Sequence, residues 1–509
     1  MGYLKSEFDY DLRSLKDKKA PGIDDIPSEL LKAAGEKTME ALFELVNKIY
    51  DTGELPDDFK KCLILPLPKK PSAKRCEQYR TISLVVHASK VLTTILLRRL
   101  EMKVEGLLSD DQFGFRKGRG TRDAILALRL VIEKRIKKDK DTYIAFLDFE
   151  KAFDKVEWSK LFPMLKAAGM NFKDRRVIWS LYRDEVAVVR CGKYEEEARV
   201  RKGVRQGCTL SPTLFNLYIE KALEEILEKN DENVGGVVIH GLRVHFLRFA
   251  DDVAVIAETE EELTTFLTLI ETTLSTEYGM NINKEKSKIL VASRRETNAN
   301  VILDGQRLGT VKEFTYLGSK ITRDGRDITD VKSRIIQAKA AFNRKSKLLT
   351  SNNIDLNIRK QLIKTFVWSV FLYGSETWTL GEECKRRINA FELWCYRRML
   401  KIKWTDKITN VEVFRRAKDM ACLRTVINKR RNTWIGHTLR HEGLLLTILE
   451  GVVEGKNARG RARLEYVTQV VKDLGCHFYS EMKKLAEVRQ AWRTAPKPTN
   501  RLITKRDAP

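Results

Sequence analysis

The apolar run from Tyr143 to Leu147 ends directly on an acid, Asp148. A run that is apolar on both faces is typical of a buried strand, so this segment predicts a strand covered on both sides. A carboxylate at the end of such a strand is costly unless another group compensates its charge. The fold must therefore bring a compensating group to Asp148, which makes this residue the first candidate for function.

A pair of acids follows a similar apolar run about a hundred residues later. Residues 244–250 lead into Asp251 and Asp252, and a further apolar run from Val253 to Ala257 follows at once. We interpret this pattern as two strands joined by a tight turn that carries adjacent acids. For the pair alone, a solvated turn of the kind common in hairpins is the alternative.

These three acids together predict a metal site. Adjacent carboxylates repel each other and burial raises their pKa values, so a hairpin that keeps both ionised favours a divalent cation. Mg²⁺ accepts one or two carboxylates together with substrate phosphates. We therefore expect Asp148, Asp251 and Asp252 to be both catalytic acids and metal ligands, for two Mg²⁺ ions about 4 Å apart or for Mn²⁺ in their place. Such ions would promote in-line attack of a primer hydroxyl with loss of pyrophosphate.

The charge balance indicates a polyanionic partner. The chain has 95 lysines and arginines against 70 aspartates and glutamates, which leaves a formal net charge of +25. The basic excess runs through the whole chain, which suits a groove along a phosphate backbone better than a short basic tail. Charge alone does not distinguish RNA from DNA.

The cysteines and the hydropathy exclude several other classes of protein. The eight cysteines contain no CxxC pair, and a chain of this size does not need disulfide staples, so a reducing compartment is the simpler inference. Cys422, His437 and His441 include an HxxxH spacing, but one nearby cysteine is too little to predict a zinc site. No apolar run approaches the roughly 18 residues of a membrane span. We expect a soluble, intracellular protein with no membrane partner.

The distribution of patterns predicts an α/β (α+β) fold of several units. A chain of 509 residues should divide into about two to four packed units. Helical spacing dominates the first sixty residues, and from Cys62 to about Thr322 short apolar runs alternate with amphipathic helices. After Asp330 the pattern becomes almost wholly helical and basic, with a further basic stretch from Lys456 to Arg461.

The order of these motifs resembles the reverse transcriptases encoded by non-LTR retrotransposons of the LINE type. Residues 145–154 look like the first catalytic motif of that family, and Phe249 to Asp252 look like the second, with Phe249 where many relatives have tyrosine. Gly203 to Cys208 stands between them, as the family order requires. The resemblance extends from about Lys19 to Trp404.

The resemblance implies a right-hand polymerase with fingers, palm and thumb. On this basis we expect a helical N-terminal leader of the fingers over 1–60 and the fingers and palm over 61–325. A helical thumb over 326–404 and a basic C-terminal region over 405–509, mainly helical, would follow. In the thumb, four aromatic residues are predicted to be core rather than base-stacking platforms: Trp368, Phe371, Tyr373 and Trp378.

The resemblance also assigns the residues that would bind the incoming nucleotide. Lys69 and Arg80 correspond to the pair that grips the triphosphate, although Thr81 departs from the usual proline. Phe153 would be the steric gate that excludes a 2′-hydroxyl, and Gln206 and Gly207 would meet the template-paired nucleotide. The structural alternatives are a solvated basic loop, an ordinary core aromatic and a capped surface helix.

Two later segments resemble further motifs of the family. Tyr278 to Ser287 resembles the segment whose lysine protonates the departing pyrophosphate, and Lys286 is the candidate general acid among several lysines. A tight turn that would hold the 3′ end of the primer, the primer grip, is formed by Tyr316, Leu317 and Gly318. For Tyr316, core packing is an equal alternative.

These observations predict an RNA-directed DNA polymerase that uses deoxynucleoside triphosphates, an RNA template, and a DNA primer or target DNA. The alternatives are a catalytically inactive or domesticated remnant that binds nucleic acid, and a polymerase of another template class. An endonuclease domain is expected to be missing from this chain, because the resemblance begins almost at residue 1. Intact Asp148, Asp251, Asp252 and Gln206 favour the enzyme.

Overall fold

The computed structural model describes residues 2–192, 194–230, 234–419, 422–460 and 462–495. Arg461 and residues 496–509, which belong to the expected basic C-terminal region, lie outside the described residues. The chain forms two compact units, and each draws on three separate segments. The first unit comprises the described residues of Met1–Gly118, Asp148–Asn233 and Phe266–Asn283. The second comprises those of Arg119–Leu147, Val234–Thr265 and Lys284–Pro509.

Strands are concentrated between residues 61 and 322, where the sequence predicted alternation with helices. The predicted buried strand is confirmed as Thr142–Leu147, and the predicted acid hairpin is confirmed as two strands around residue 251. The strands are β1 (Lys61–Pro68), β2 (Tyr79–Leu84), β3 (Thr142–Leu147), β4 (Val186–Cys191), β5 (Tyr194–Arg199), β6 (Val237–Ile239), β7 (Leu242–Val244), β8 (Phe246–Phe249), β9 (Asp252–Ala257), β10 (Lys288–Ala292), β11 (Ile302–Leu303), β12 (Gln306–Arg307), β13 (Gly309–Thr310), β14 (Glu313–Tyr316) and β15 (Ser319–Thr322).

Helices make up the expected leader and nearly all regular structure after residue 328. Short 3₁₀ turns and one π-helical turn, Lys364–Trp368, connect some of them. The α-helices are α1 (Lys5–Ser14), α2 (Ser28–Lys32), α3 (Glu36–Thr52), α4 (Asp57–Lys60), α5 (His87–Val104), α6 (Thr121–Lys137), α7 (Ala152–Lys155), α8 (Trp158–Ala167), α9 (Phe172–Arg183), α10 (Ser211–Glu228), α11 (Glu260–Tyr278), α12 (Ile328–Arg344), α13 (Ser346–Leu349), α14 (Leu356–Ile363), α15 (Ser369–Phe371), α16 (Glu382–Met399), α17 (Asn410–Ala417), α18 (Leu423–Thr438), α19 (Leu444–Glu450), α20 (Tyr466–Asp473), α21 (Tyr479–Glu487) and α22 (Arg489–Thr494).

The first unit contains a four-stranded sheet with the order β2-β1-β4-β5. Strand β1 is antiparallel to β2 and parallel to β4, and β4 and β5 form a hairpin. Helix α10 is buried along most of its length and packs against α5 and α8. The sheet therefore fixes β2 as one edge of this unit, and the buried helix supports the loop that precedes it.

The second unit contains a five-stranded sheet with the order β13-β10-β3-β9-β8. Strand β3 lies in the centre and is antiparallel to both of its neighbours, β10 and β9. Its residues Ile144 to Leu147 are buried, as the unbroken apolar run predicted. Helix α6, whose residues from Ala124 to Ile132 are almost all buried, packs against β8 and α19.

A helical core follows in the second unit. Its buried side chains run from Val331 to Ile427 as one hydrophobic cluster. Trp368, Phe371 and Trp378 are buried in it, as predicted. The prediction for Tyr373 was wrong: its side chain is 38% exposed. The physical reason is its polar end, because the hydroxyl group donates a hydrogen bond to a backbone carbonyl at the edge of the core.

Among the described residues, no helix combines the length and the apolar composition that crossing a membrane needs. The longest, α11, spans Glu260–Tyr278 and begins with three successive glutamates.

Candidate active site

The acid hairpin joins β8 and β9 through a turn with two central residues, Ala250 and Asp251. Phe249 pairs with Asp252 across the hairpin and closes the turn. Ala250 has φ +56° and is buried, while both acids are exposed. A positive φ at the first central residue is the pattern of a type II′ turn, where glycine is the usual choice. The turn thus accepts backbone strain at Ala250 and presents two carboxylates to solvent.

The end of β3 lies beside this hairpin in the sheet. Leu147 pairs with Val253 in antiparallel register. Asp148 is the next residue after Leu147 in the chain, and Asp252 is the residue before Val253. Asp148 is half-buried, and its carbonyl oxygen accepts a hydrogen bond from the backbone N–H of Asn283 at 2.7 Å. The pairing of β3 with β9 therefore ends at the point in the sequence where both strands meet an acid.

The donor atoms of the hairpin suit a hard divalent cation. Among the residues that the structure describes, no three histidine, cysteine, aspartate or glutamate side chains are grouped as the ligands of a metal ion. Mg²⁺ does not require such a cage, because it is usually held by one or two carboxylates, by water and by substrate phosphates. The exposed carboxylates of Asp251 and Asp252 fit an ion of this kind, since their oxygens can take part in a ligand set completed by substrate.

In the first unit, a loop that precedes α10 is bound to the edge strand β2. The backbone N–H of Ser83 donates a hydrogen bond to the carbonyl oxygen of Gln206 at 3.1 Å. Gly207 has φ +107°, and a Cβ atom there would lie 2.7 Å from the carbonyl oxygen of Ser83. Only glycine fits both the backbone conformation and this close approach. The loop is therefore held against the strand that carries Arg80.

Phe153 lies in the same unit and contacts the same loop. Its ring stacks on the ring of Phe215 in α10, with centroids 4.4 Å apart. Its carbonyl oxygen accepts a hydrogen bond from the N–H of Val204 at 2.8 Å. Phe153 is half-buried, so its ring is fixed from one side and partly open on another. The structure thus gathers Phe153, Gln206 and Gly207 around one loop.

The three basic residues predicted for substrate binding and acid catalysis are all exposed. Lys69 follows β1, and its backbone N–H donates to the carbonyl oxygen of Gln78 at 2.8 Å. Arg80 pairs with Leu67 in the β1–β2 register. Lys286 lies in the second unit, just before β10. Lys69 and Arg80 therefore share one antiparallel pair of strands, and Lys286 stands at the start of another sheet.

Sequence reasoning assigned no role to Arg205, which is buried beside Gln206. Its guanidinium forms an ion pair with Glu185 at 2.9 Å and donates to the carbonyl oxygen of Phe59 at 3.2 Å. Burial and, next, the Glu185 carboxylate raise the pKa of Cys62 to about 12, so the thiol stays protonated and donates to Glu185. The signal that the sequence offered for this role was the arginine inside the loop motif, next to Gln206. Arg205 ties the loop to the body of the unit.

The turn between β14 and β15 matches the segment expected to hold the primer end. Leu317 has φ +46° and Gly318 has φ +79°, the combination that a type I′ turn requires. Tyr316 is 2% exposed, and its hydroxyl group donates to the carbonyl oxygen of Leu247 in β8 at 2.9 Å. The preceding Phe314 stacks on Phe146 of β3, with centroids 4.1 Å apart. This hairpin therefore packs on the two strands that lead to the acids, and Tyr316 is a core residue.

Two residues to which the sequence analysis gave no role at the primer grip fix this turn, Arg334 in α12 and Tyr373 just after α15. The hydroxyl group of Tyr373 donates to the carbonyl oxygen of Leu317 at 2.8 Å, and Arg334 donates to the carbonyl oxygen of Gly318. The guanidinium of Arg334 also lies over the ring of Tyr373, 4.5 Å from its centroid. The backbone of the turn is thus held by side chains from the helical core.

Asp330 in α12 connects the same hairpin to two further elements. Its carboxylate accepts hydrogen bonds from the Ser319 hydroxyl group at 2.5 Å and from the Trp378 indole N–H at 2.8 Å. Arg129 of α6 forms an ion pair with it at 2.9 Å and a second ion pair with Asp327. Asp330 is 1% exposed, so these partners compensate a charge that would otherwise be costly to bury.

Comparison with known proteins agrees with these motifs. The family described as "Reverse transcriptase (RNA-dependent DNA polymerase)" matches residues 67–321, which is half of the chain. The Pol polyprotein from the type-1 retrotransposable element R2 of Nasonia vitripennis is 29% identical over 302 residues, which cover 59% of this chain and 28% of the relative. The RNA-directed DNA polymerase from the mobile element jockey of Drosophila melanogaster is 23% identical over 427 residues, which cover 79% of this chain and 43% of the relative.

The resemblance inferred from the motifs is confirmed by these matches. The chain spans less than half the length of either relative. Among solved structures, telomerase from Candida tropicalis in complex with a fragment of telomeric RNA matches 83% of this chain and 71% of its own, at 13% identity and a TM-score of 0.41. The right-hand fold expected from the sequence agrees with the family match.

Proposed function

Since this chain belongs to the reverse transcriptase (RNA-dependent DNA polymerase) family, we propose that it is the RNA-directed DNA polymerase of a non-LTR retrotransposon. It extends a primer on an RNA template with deoxynucleoside triphosphates, by two-metal phosphoryl transfer. The observation that carries the proposal is the register of β3 and β9. At the Leu147–Val253 pair, each strand has an acid as the next residue on the same side: Asp148 follows Leu147, and Asp252 precedes Val253. These acids also lie in the two segments that resemble the catalytic motifs of the family.

Asp148, Asp251 and Asp252 are the proposed catalytic acids and the ligands of two divalent ions, Mg²⁺ or, in its place, Mn²⁺. When bound, such ions supply Lewis-acid activation of a primer hydroxyl and neutralise charge on the triphosphate. The carboxylates contribute negative charge and oxygen donors at the end of a rigid sheet. The exposure of Asp251 and Asp252 supports this role, since a ligand can reach them.

The first unit supplies the proposed grip on the incoming nucleotide. Lys69 and Arg80 bind the triphosphate, and the planar guanidinium suits phosphate oxygens. Phe153 is the steric gate against a 2′-hydroxyl, and the stacking of its ring on Phe215 supports this role by holding the ring in one place. Gln206 and Gly207 meet the template-paired nucleotide, supported by their fixed attachment to β2.

The second unit supplies the proposed general acid and primer grip. Lys286 protonates the leaving pyrophosphate; its exposed position before β10 is compatible with this role. Tyr316, Leu317 and Gly318 hold the 3′ end of the primer. The hydrogen bonds that Arg334 and Tyr373 donate to the backbone of this turn favour a positioning role.

The proposed partners are an RNA template and a DNA primer or target DNA. We divide the chain into the fingers leader (1–60), the fingers and palm (61–325), the thumb (326–404) and the basic C-terminal region (405–509). The net charge of +25 supports binding along a phosphate backbone. The helical core after residue 328 supports the thumb assignment.

Primer extension on an RNA template tests the proposal. Wild-type protein should give a product that depends on template and Mg²⁺, and Asp251→Asn should abolish it. Asp58→Asn, which changes another exposed acid, in α4, is the matched control and should leave extension unchanged. Absence of product from folded wild-type protein would favour a nucleic-acid-binding remnant instead.

The nucleotide and template classes are tested separately. Phe153→Ala should admit ribonucleotides, whereas Phe153→Tyr keeps a ring and should keep the discrimination. If Phe153→Ala discriminates as wild type does, the gate assignment is wrong. Extension that is faster on a DNA template than on RNA of the same sequence would assign the chain to another class of polymerase.

A further inference from the structure

The segment from Leu400 to Lys407, which we call the lysine turn, exposes a tryptophan outside the proposed active site. It connects α16 to α17, and the Trp404 side chain is 88% exposed. Tryptophan carries one of the largest apolar surfaces of any side chain, together with a polar N–H group. A tryptophan with this exposure offers a wide ring face on which a ligand can stack.

The backbone of the lysine turn contains two lysines in the unfavourable left-handed conformation. Lys401 has φ +58° and Lys407 has φ +50°, and these two residues bracket Trp404. Lys401 follows the end of α16, and Lys407 ends the 3₁₀ turn Trp404–Asp406. At both places glycine would adopt the left-handed conformation without steric penalty. The two lysines therefore carry backbone strain that glycine would not, and they stand on either side of Trp404 in the chain.

Hydrogen bonds within and next to the lysine turn fix its conformation. The carboxylate of Asp406 accepts a hydrogen bond from the backbone N–H of Lys403 at 2.8 Å. On the far side, Arg397 of α16 donates to the carbonyl oxygen of Ile408 at 2.7 Å and to the side chain of Asn410 at 3.0 Å. A ring on a fixed support loses little conformational freedom when a ligand stacks on it.

The residues that flank Trp404 in the chain are mostly positive. Lys401, Lys403 and Lys407 are exposed, and they make no ion pair within the part of the chain that the structure describes. Asp406 already serves the backbone of the turn. An exposed aromatic ring flanked in the chain by three lysines matches single-stranded nucleic acid, in which bases stack on aromatic rings while phosphates meet cations. An apolar protein surface would match the ring but would have to desolvate the lysines.

We propose that the lysine turn binds single-stranded nucleic acid, with an unpaired base stacked on Trp404 and adjacent phosphates beside Lys401, Lys403 and Lys407. Base pairs in a duplex hide their faces, so the ring selects an unpaired strand. The site does not require polymerisation and can be tested by binding alone. An RNA template or a DNA strand could supply the unpaired base, and the experiment compares both.

The first experiment locates the stacked base. Single-stranded RNA and DNA of the same sequence, carrying bromouracil, are photo-crosslinked to the protein, and the crosslinked residues are mapped by mass spectrometry. A crosslink at Trp404 is expected with at least one strand and is expected to be lost when the strand is fully paired. The stronger of the two arms identifies the source. Crosslinks elsewhere in the chain but none within the lysine turn would overturn the proposal.

The second experiment measures affinity by fluorescence anisotropy. Trp404→Ala should weaken single-strand binding by about tenfold, within the range known for loss of base stacking, and Trp404→Phe should recover part of it. The matched control is Tyr194→Ala, because Tyr194 is 82% exposed but stands beside three glutamates. This control should bind as wild type does. Equal affinity of Trp404→Ala and wild type would overturn the proposal and leave a protein partner as the occupant.

The third experiment separates charge from stability. The double variant Lys401→Gly/Lys407→Gly relieves two left-handed lysines, so its thermal stability should equal or exceed that of wild type. Its affinity should fall, and the slope of log K against log salt should decrease by about 1.4. Lys18→Gly is the control, since Lys18 has φ +57° and is exposed far away in the sequence. A double variant with wild-type affinity and slope would show that the lysines do not contact phosphates.

Discussion

Two hairpins of the second unit build similar turns for opposite purposes. Each turn has two central residues and places a non-glycine residue in the left-handed region, Ala250 in one and Leu317 in the other. The β8–β9 turn presents the exposed side chains of Asp251 and Asp252. The β14–β15 turn is instead held through its backbone carbonyls by Arg334 and Tyr373.

The difference teaches how a site can combine reactivity with precision. Exposed carboxylates can be exchanged with little effect on folding, because water solvates them in the folded and in the unfolded state. Carbonyls that accept hydrogen bonds from the buried Arg334 and the partly exposed Tyr373 are tied to the edge of the helical core, so these anchors should affect both stability and the position of the turn. The two hairpins should therefore respond to substitution in opposite ways.

The largest effect is expected from Asp252→Asn in the acid hairpin. The carboxylate is exposed and the replacement has the same shape, so the free energy of unfolding should stay within about 0.5 kcal/mol of wild type. Turnover in primer extension should fall on the order of a thousandfold, because a metal ligand supplies several kcal/mol of transition-state stabilisation. Denaturant unfolding and single-turnover extension measure the two quantities. A large loss of stability would contradict the expectation that the acid hairpin tolerates substitution without an effect on folding.

The next effect is expected from Arg129→Met, beneath the second hairpin. The substitution leaves the carboxylates of Asp327 and Asp330 buried without their guanidinium partner. The free energy of unfolding should fall by about 3 kcal/mol, as when one partner of a buried ion pair is removed. Adding Asp330→Asn should recover part of this loss, because it removes one of the two buried negative charges that have lost their partner. A double variant less stable than Arg129→Met would argue against the ion pair as the cause.

The sequence predicted one hairpin better than the other for a physical reason. An unbroken apolar run defines β3, and adjacent acids between two such runs define the acid hairpin, so local pattern was sufficient there. The anchors of the second turn depend on tertiary contacts. Tyr373 lies 56 residues from Leu317 in the chain, and Arg129 lies 201 residues from Asp330. No local period encodes pairings at such distances.

The same reason explains the error at Tyr373 and the missed role of Arg205. Tyr373 stands among core aromatics in sequence, and only the fold reveals that its hydroxyl group reaches a turn carbonyl. Arg205 stands inside a recognisable motif, yet its ion pair with Glu185 comes from the arrangement of β4 beside β1. Motifs thus pointed to the side chains proposed to meet substrate, whereas the residues that hold those side chains in place required the structure.

A smaller effect is expected at the strained residue of the acid hairpin. Ala250 has a positive φ and is buried, so Ala250→Val should cost about 1–3 kcal/mol through backbone strain and overpacking. Ala250→Gly removes the strain and should unfold at the same denaturant concentration as wild type or slightly higher. If valine were tolerated as well as glycine, the turn would not be the rigid support that the comparison assumes.

The smallest effect, and the most specific, is expected from Tyr373→Phe. The variant keeps the ring beneath Arg334 and removes one hydrogen bond to the carbonyl oxygen of Leu317. Because the ring is 38% exposed, water can replace part of this bond, and the loss of stability should stay below about 1 kcal/mol. If the turn positions the primer end, the KM for primer should rise while the KM for nucleotide stays constant, since the residues proposed to grip the nucleotide lie in the first unit. Tyr373→Ala, which also removes the ring, should raise the KM for primer further. Equal changes in both KM values would mean that this turn does not act on the primer alone, and the proposed division of labour between the two hairpins would be wrong.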